Sequence, residues 1–227
     1  MLERTEIDVL QSNELKTAVE LAVVNSVPAL VVHQSLVGEA IMLRLVRQGL
    51  FKIITPIDWS PPYKGENYGN LKLRGTLASA LQADGFEVLL TPGRTPDETV
   101  AEANTIAETL RQVSRTAEIR FALHMHSREA ESLDMYRALL NVRRPAMVRT
   151  DVHTKLQTKV NAQTHQEMCK TLKSIAQLPL KVSGNVATWR ALQECTKADR
   201  VAVSLSQFET IIKELQRLPP EIKGMLI

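Results

Sequence analysis

Residues 85–98 decide the fold, and they read Gly85-Phe86-Glu87-Val88-Leu89-Leu90-Thr91-Pro92-Gly93-Arg94-Thr95-Pro96-Asp97-Glu98. The run 86–91 is short and mostly apolar, which is typical of a buried strand. Behind it, Thr95 offers an N-cap, Pro96 suits the first helical position and Glu98 completes a capping box. The stretch therefore predicts a strand followed by a helix, the unit from which parallel sheets are built.

The same alternation of strand-like and helix-like segments runs along the whole chain. Eight short apolar or β-branched runs are predicted as strands: Glu6–Leu10, Ala29–His33, Lys52–Asp58, Phe86–Thr91, Ile119–His126, Ala146–Asp151, Leu180–Ser183 and Arg200–Ser204. Several are apolar on both faces, as expected where helices cover one face and other strands the second. Gly49 and Gly85 each precede a strand and are predicted as C-terminal caps of the helices before them.

Eight strands in 227 residues, nearly all followed by a helix, favour an α/β fold of one domain, a (β/α)8 TIM barrel. A doubly wound open sheet is the alternative. It would need a phosphate-binding glycine loop after the first strand, and the sequence has neither GxGxxG nor GxxxxGK[ST]. We expect one domain over residues 1–227, with a C-terminal tail at about 218–227.

Composition limits the class of protein. Hydrophobic residues make up 44% of the chain and charged residues 23%, which excludes a disordered chain. The net charge of +3 is too small to predict binding to nucleic acid, and no apolar stretch is long enough to span a membrane. Two isolated cysteines, Cys169 and Cys195, and a polar N-terminus lead us to expect a reduced, cytoplasmic protein.

Polar side chains are concentrated where the predicted strands end. Those that we single out as candidate site residues are Asp8, Asp58, His124, Arg149, Asp151, Lys181, Ser183, Ser204 and Ser206. In a TIM barrel, catalytic residues lie where strands run into the loops that follow them. Charges inside a barrel cost several kcal/mol unless they are paired or bind a ligand. The alternatives are therefore a functional site and a solvated rim with satisfied ion pairs.

Two segments in the second half are similar to a known family. They read Ala-Met-Val-Arg-Thr-Asp at 146–151 and Leu-Lys-Val-Ser-Gly-Asn-Val at 180–186, and they resemble strands six and seven of the deoxyribose-phosphate aldolase family. Shorter runs in the matching order support the resemblance: Glu6–Asp8, Gly85–Leu90, Asn161–Thr164 and Val203–Ser206. The resemblance extends from about Asp8 to Leu215 and implies a TIM barrel.

The resemblance also implies class I aldolase chemistry, in which a lyase makes or breaks a C–C bond in a small phosphorylated sugar or aldehyde. The family uses a Schiff-base lysine on strand six, a second lysine on strand seven that lowers its pKa, and an aspartate on strand four. Here those positions hold Arg149, Lys181 and Leu89. Arginine stays protonated in proteins, so Arg149 cannot be the nucleophile. Glu87 has the parity of the barrel interior but lies one layer deeper than the family's aspartate.

Two interpretations stay open. In the first, Lys181 is the nucleophile, Arg149 is the cation that lowers its pKa, and Asp8, Asp58 or Asp151 moves protons. In the second, aldol chemistry has been lost, and the barrel binds a phosphorylated metabolite or serves an assembly. A homo-oligomer is compatible with both.

A phosphate site is predicted at the ends of strands seven and eight. Ser183, Gly184 and Asn185 follow strand seven, and Ser204 and Ser206 follow strand eight. Barrels often bind phosphate there with backbone N–H groups and a helix N-terminus. The alternative is that these serines are ordinary N-caps.

The segment His124-Met125-His126 is the other candidate for ligand binding. We predict that His124 reaches a substrate hydroxyl group. Two histidines on one face of a strand can also ligate a metal ion. The sequence has no HExxH motif or cysteine cluster beside them, and the aldolase family needs no metal. We therefore predict no metal and no other cofactor.

Overall fold

The structure is a computed structural model, and it describes residues 2–59, 68–90, 95–123, 148–151, 180–183 and 200–217. Its strands are β1 Thr5–Val9, β2 Ala29–Val32, β3 Lys52–Trp59, β4 Gly85–Leu90, β5 Glu118–Leu123, β6 Val148–Asp151, β7 Leu180–Ser183 and β8 Arg200–Ser204. All eight predicted strands are confirmed, with small differences at their ends.

Helices follow the strands wherever the structure describes the connecting residues in full. They are α1 Ser12–Val24, α2 Val37–Val46, α3 Tyr68–Ala80, α4 Pro96–Val113 and α5 Leu205–Arg217, with short 3-10 turns at Leu2–Arg4 and Gln34–Leu36. Within the described ranges, no helix has the length and apolar character that crossing a bilayer requires.

The eight strands form one parallel sheet in the order β5-β4-β3-β2-β1-β8-β7-β6. The first strand lies in the middle of this order, and the two outermost strands, β5 and β6, come into contact with each other. Glu6 on β1 also contacts Arg120 on β5, four strands away, which requires a strongly curved sheet. The chain therefore has the (β/α)8 barrel architecture that its sequence predicts.

The outer face of the sheet builds the main apolar core. Ile7, Phe86 and Phe121 point from alternate strand positions toward the helices, where Leu15 and Phe208 belong to the same buried cluster. Because side chains alternate along a strand, the neighbouring positions face the barrel interior.

The interior combines a small apolar cluster with buried charges. Ala29, Val31 and Ile54 form a cluster of their own, separate from the outer core. Glu6, Glu87 and Arg120 are among the described polar residues that are almost completely buried. The inner face of the sheet is therefore chemically different from its outer face.

Helix punctuation matches the prediction at one end and differs at the other. Thr95 Oγ1 accepts a hydrogen bond from the N–H of Glu98 (3.2 Å), which is the N-cap half of the predicted capping box, and Pro96 occupies the first turn of α4. The left-handed residues after α2 and α3 are Gln48 (φ 53°) and Gln82 (φ 62°), and not the predicted glycines. Gly49 takes part in the cap of α2 through its N–H, which donates to the carbonyl oxygen of Arg44 at 2.9 Å, whereas the prediction for Gly85 is wrong. Gly85 opens β4 instead, where an added Cβ would lie 2.6 Å from the carbonyl oxygen of Glu118.

Candidate active site at the barrel interior

The strand register brings the predicted catalytic positions together in pairs. Arg149 on β6 is the direct partner of Lys181 on β7, and Asp151 is the partner of Ser183. The register continues from Ser183 to Ala202 on β8. Since Ala202 is in turn paired with the buried interior residue Glu6, these positions have the parity of the barrel interior. Arg149 and Lys181 therefore occupy paired positions on neighbouring strands, and both positions have the parity of the inner face.

The same register places two further candidates beside each other. Asp8, which is half-buried, is the partner of Ser204 on β8. Asp58 near the end of β3 is the partner of Leu89 on β4, the position at which the aldolase resemblance expects an aspartate. Asp8 and Ser204 therefore lie side by side near the C-terminal ends of their strands. Leu89, an apolar residue, occupies the β4 position where the resemblance expects a proton-carrying aspartate.

Ser204 caps helix α5. Its Oγ accepts the N–H of Gln207 at 3.4 Å, and Gln207 Oε1 accepts the N–H of Ser204 at 3.0 Å. This reciprocal pair is a capping box of the Ser-x-x-Gln type. The Oγ atom of Ser204 also lies 3.2 Å from that of the exposed Ser206. The N-cap role that the sequence left open is confirmed, and a phosphate at this helix N-terminus stays a prediction.

Several predictions fall outside the described residues. They concern His124, Gly184, Asn185, Cys169, Cys195 and the tail at about 218–227. For Asp58, Arg149, Asp151, Lys181 and Ser183 the structure describes the backbone position.

Sequence reasoning missed a charged network that crosses the barrel interior. Arg120 donates through Nη1 to Glu6 Oε1 (2.6 Å) and through Nε to Glu118 Oε1 (2.5 Å). Glu118 accepts a further hydrogen bond from Lys52 Nζ at 2.8 Å. The side chains of Arg120 and Glu6 are 2% and 0% exposed, while Lys52 is largely exposed. The network therefore runs from solvent at the N-terminal ends of the strands into the buried interior.

The electrostatics of this network hold its groups in their charged forms. Burial opposes ionisation of Glu118, but hydrogen bonds from Arg120 and Lys52 outweigh it and lower its pKa from 4.5 to about 2. Burial likewise opposes the charge on Arg120, and Glu6 and Glu118 together raise its pKa above the ordinary value. Among the described residues, Nη2 of Arg120 is buried without a hydrogen-bond partner.

Strand parity was the signal that would have revealed Arg120. In Glu118-Ile119-Arg120-Phe121 the charged residues alternate with apolar ones, and Ile119 and Phe121 belong to the outer core. The charged residues must then face inward. The sequence carries no sign of which interior residue Arg120 meets, because Glu6 lies 114 positions away.

Comparisons with known proteins find similar folds but no matching protein family or curated sequence. No protein-family model matches the chain, and no curated protein matches it. Solved structures do match. The chain has the fold of the deoxyribose-phosphate aldolases.

Three of these structures show the extent of the similarity. A deoxyribose-phosphate aldolase from Coccidioides immitis superposes with a TM-score of 0.67 and 12% identity, covering 96% of this chain and 85% of its own. One from Toxoplasma gondii gives 0.65 and 14%, covering 96% and 95%. The tetrameric enzyme from Aeropyrum pernix gives 0.64 and 12%, covering 92% and 91%. The aldolase-type barrel expected from the strand motifs is confirmed, and identities this low show the fold alone.

Proposed function

We propose that the chain is a class I aldolase-type lyase that acts on a small phosphorylated sugar or aldehyde through Lys181. The observation that carries the proposal is the direct pairing of Arg149 with Lys181 on neighbouring strands of an aldolase-type barrel. An arginine held next to a lysine disfavours the protonated lysine and so lowers its pKa. A neutral amine is the form that attacks a carbonyl group.

The depth of Lys181 supports this assignment. The register leads from Asp8 on β1 to Glu118 on β5, so Glu6, two residues earlier, corresponds to Thr116. The residue that meets Glu6 across the barrel is instead Arg120, four positions beyond Thr116. The level therefore shifts by one residue per strand, as in (β/α)8 barrels. On the other side of β1, the register leads from Glu6 through Ala202 on β8 to Ser183 on β7. A shift of one residue per strand over these two strands goes back from Ser183 to Lys181. Lys181 then shares the interior level of the Glu6–Arg120 pair.

The charged side chains at this level of the barrel affect whether the Lys181 amine is protonated. A carboxylate near a lysine stabilises the protonated form, which would oppose Schiff-base formation. Arg120 binds the Glu6 carboxylate at 2.6 Å and offsets its negative charge. Arg149, the partner of Lys181 in the strand register, is the cation that this mechanism uses to lower the pKa of Lys181.

The reaction follows from a neutral amine at this position. Lys181 Nζ bonds to the substrate carbonyl carbon, and the carbonyl oxygen leaves as water to give an iminium ion. The iminium accepts the electron pair of the breaking C–C bond, which produces an enamine and an aldehyde. Protonation and hydrolysis then release the second product and the free lysine. Asp8, Asp58 and Asp151 are the candidates for moving protons, and the ends of β7 and β8 for holding the phosphate.

Borohydride trapping tests the proposal. The protein is reduced with sodium borohydride in the presence of a panel of phosphorylated aldehydes and ketones, and adducts are mapped by intact mass and peptide analysis. We expect one adduct on Lys181 that disappears in Lys181→Met. Lys213→Met, which removes an exposed lysine of α5, is the matched control and keeps the adduct. A folded protein that forms no adduct at Lys181 with any carbonyl compound contradicts the mechanism.

A second variant tests the exchange of roles between the two strands. Arg149→Lys places an amine at the position where the resemblance expects the Schiff-base lysine, and Leu89→Asp restores the acid on β4. We expect the adduct of the double variant to appear on residue 149, with Lys181 taking over the role of the neighbouring cation. An adduct that stays on Lys181 alone would show that the site does not follow the family's geometry.

The second candidate function is a barrel that binds a phosphorylated metabolite without aldol chemistry. Leu89 favours this candidate, because this apolar residue occupies the β4 position where the resemblance expects a proton-carrying aspartate. The register pairs Leu89 with Asp58 on β3. This candidate predicts binding of a sugar phosphate, measured by calorimetry, with no borohydride adduct.

A further inference from the structure

His33 directly follows strand β2, at the C-terminal end of the barrel. In β2, Ala29 and Val31 belong to the apolar cluster of the interior, whereas the residues that alternate with them belong to the outer core. The N–H of His33 donates to the carbonyl oxygen of Val9 at 3.2 Å, so the pairing with β1 continues past the end of β2. His33 therefore has the parity of the interior, and it is exposed. Catalytic groups of TIM barrels lie at this end of the strands.

The strand register places His33 at the level of the missing acid. The register leads from Val31 on β2 to Gly85 on β4. His33, two residues after Val31, therefore corresponds to Glu87. A shift of one residue per strand over these two strands goes forward from Glu87 to Leu89. His33 thus shares a level with Leu89, the position at which the resemblance expects a proton-carrying aspartate.

Ser35 holds the imidazole ring of His33 through one nitrogen. Nδ1 of His33 lies 2.9 Å from Ser35 Oγ and 3.4 Å from the backbone nitrogen of Ser35. A hydroxyl group accepts as well as donates, so Ser35 Oγ can accept an N–H from Nδ1. Nε2 then has a lone pair, and among the described residues it has no hydrogen-bond partner. The ring is therefore fixed at one nitrogen and able to take up a proton at the other.

The distance between levels suits a substrate placed between His33 and Lys181. The register pairs Glu6 with Ala29, and the shift of one residue puts the level of Lys181 at Leu30 on β2. His33 lies three residues beyond Leu30, which is about 10 Å by strand rise. The four-carbon stem of a lysine spans part of this distance, and the carbon skeleton of a substrate can span the rest.

We infer that His33 is the general acid–base residue of this reaction and replaces the aspartate that β4 lacks. The inference rests on the function proposed for Lys181. In the cleavage direction, Nε2 takes the proton of the substrate hydroxyl group while the electron pair of the C–C bond moves to the iminium ion. The imidazolium then gives this proton to the enamine carbon, which restores the neutral ring and the iminium ion before hydrolysis. Ser35 Oγ accepts the Nδ1 proton in both forms of the ring.

Deuterium exchange into a carbonyl compound tests proton transfer separately from adduct formation. The phosphorylated aldehydes and ketones of the trapping panel, dihydroxyacetone phosphate among them, are the probes in D2O, and NMR follows exchange at the carbon next to the carbonyl group. His33→Asn keeps a side-chain oxygen that can cap the turn at Ser35 but cannot carry protons. We expect this variant to keep the borohydride adduct on Lys181 and to exchange about 10²-fold more slowly than wild type.

His33→Ala separates proton transfer from a purely structural role, because it removes the cap as well as the proton carrier. If His33 served only as a cap, His33→Asn would exchange like wild type and His33→Ala alone would be impaired. That result would overturn the inference, while an adduct on Lys181 would leave the proposed function standing. A folded wild-type chain that forms no adduct with any probe would instead overturn the proposed function, and the inference with it.

A measurement on the unchanged protein keeps the test decisive if the variants do not fold. Diethyl pyrocarbonate acylates exposed imidazole rings, and peptide mapping gives the rate at His33. A probe that forms the adduct on Lys181 should slow acylation of His33, and acylation of His33 should abolish exchange. A rate at His33 that the probe does not change would show that the ring does not contact the substrate, which would overturn the inference.

Discussion

Two ion pairs of similar chemistry lie in opposite environments of this barrel. Glu6 and Arg120 meet at 2.6 Å in the interior, with side chains 0% and 2% exposed. Glu20 and Arg47 meet at 2.7 Å on the outer helices, with side chains 44% and 48% exposed. The distances differ by 0.1 Å, yet the energetic meaning differs greatly, because water replaces a lost partner at the surface and not in the interior. Burial, and not distance, decides how much each pair matters.

The largest expected effect comes from breaking the interior pair. Arg120→Met leaves Glu6 buried without its 2.6 Å partner and removes a partner of Glu118, so the free energy of unfolding should fall by about 3–5 kcal/mol. Urea denaturation of wild type and variant measures it.

The double variant Glu6→Gln with Arg120→Met sharpens the same result. Because it removes both buried charges, it should recover a large part of the loss. A cost below about 1 kcal/mol for Arg120→Met alone would show that burial does not control this pair.

The pair between Arg44 and Asp84 lies between the two extremes, with side chains 18% and 34% exposed. Asp84 Oδ2 also accepts the N–H of Ile53 at 2.8 Å. Asp84→Ala should therefore cost about 1–3 kcal/mol, because it leaves a backbone donor without its partner. Arg44→Met, which keeps the bond to Ile53, should cost less. Equal costs for the two variants would contradict this division.

The pH dependence of stability reports on Glu118. Its pKa is about 2 in the folded chain, below the ordinary 4.5, so its contribution is complete above pH 4.5 and is lost as pH falls from 4.5 toward 2. After allowance for solvent screening the effect should be on the order of 1–2 kcal/mol. Unfolding measured across this window should depend less on pH in Glu118→Gln than in wild type. Parallel curves would rule out a role for Glu118.

The smallest effect is expected at the surface. Arg47→Met should change the free energy of unfolding by less than about 1 kcal/mol, and added salt should remove the difference. Thermal unfolding at low and high ionic strength measures it. A salt-independent loss comparable to that of Arg120→Met would remove the contrast between the two pairs.

Much of the fold was predictable because it depends on local patterns. Apolar runs of strand length identified all eight strands, and the Thr95-Pro96 start located α4. The C-terminal caps were not predictable in this way. Gln48 and Gln82 adopt the left-handed conformation that glycine favours, while Gly85 is required by the close approach of Glu118. Which residue takes a strained position depends on what packs beside it.

The candidate site likewise combines features that the sequence predicts with features that depend on the tertiary structure. Sequence order alone put Arg149 and Lys181 on successive strands, and the register made them direct partners. The N-cap role of Ser204, whose Oγ accepts the N–H of Gln207, follows from a spacing that the sequence displays. The depth of Lys181 relative to Glu6 and Arg120 depends on how the strands are staggered around the barrel.

The sequence by itself determined the alternation of strands and helices, the parity of each strand and the chemical types at the strand ends. Those properties depend on neighbours within a few residues, which the chain displays directly. Only the tertiary structure decided that Arg120 meets Glu6 and that Gly85 opens β4 against Glu118. The same holds for the apolar side chains of α2 and α3 that remain exposed. These features depend on strand order, stagger and helix placement, which bring together residues far apart in the chain.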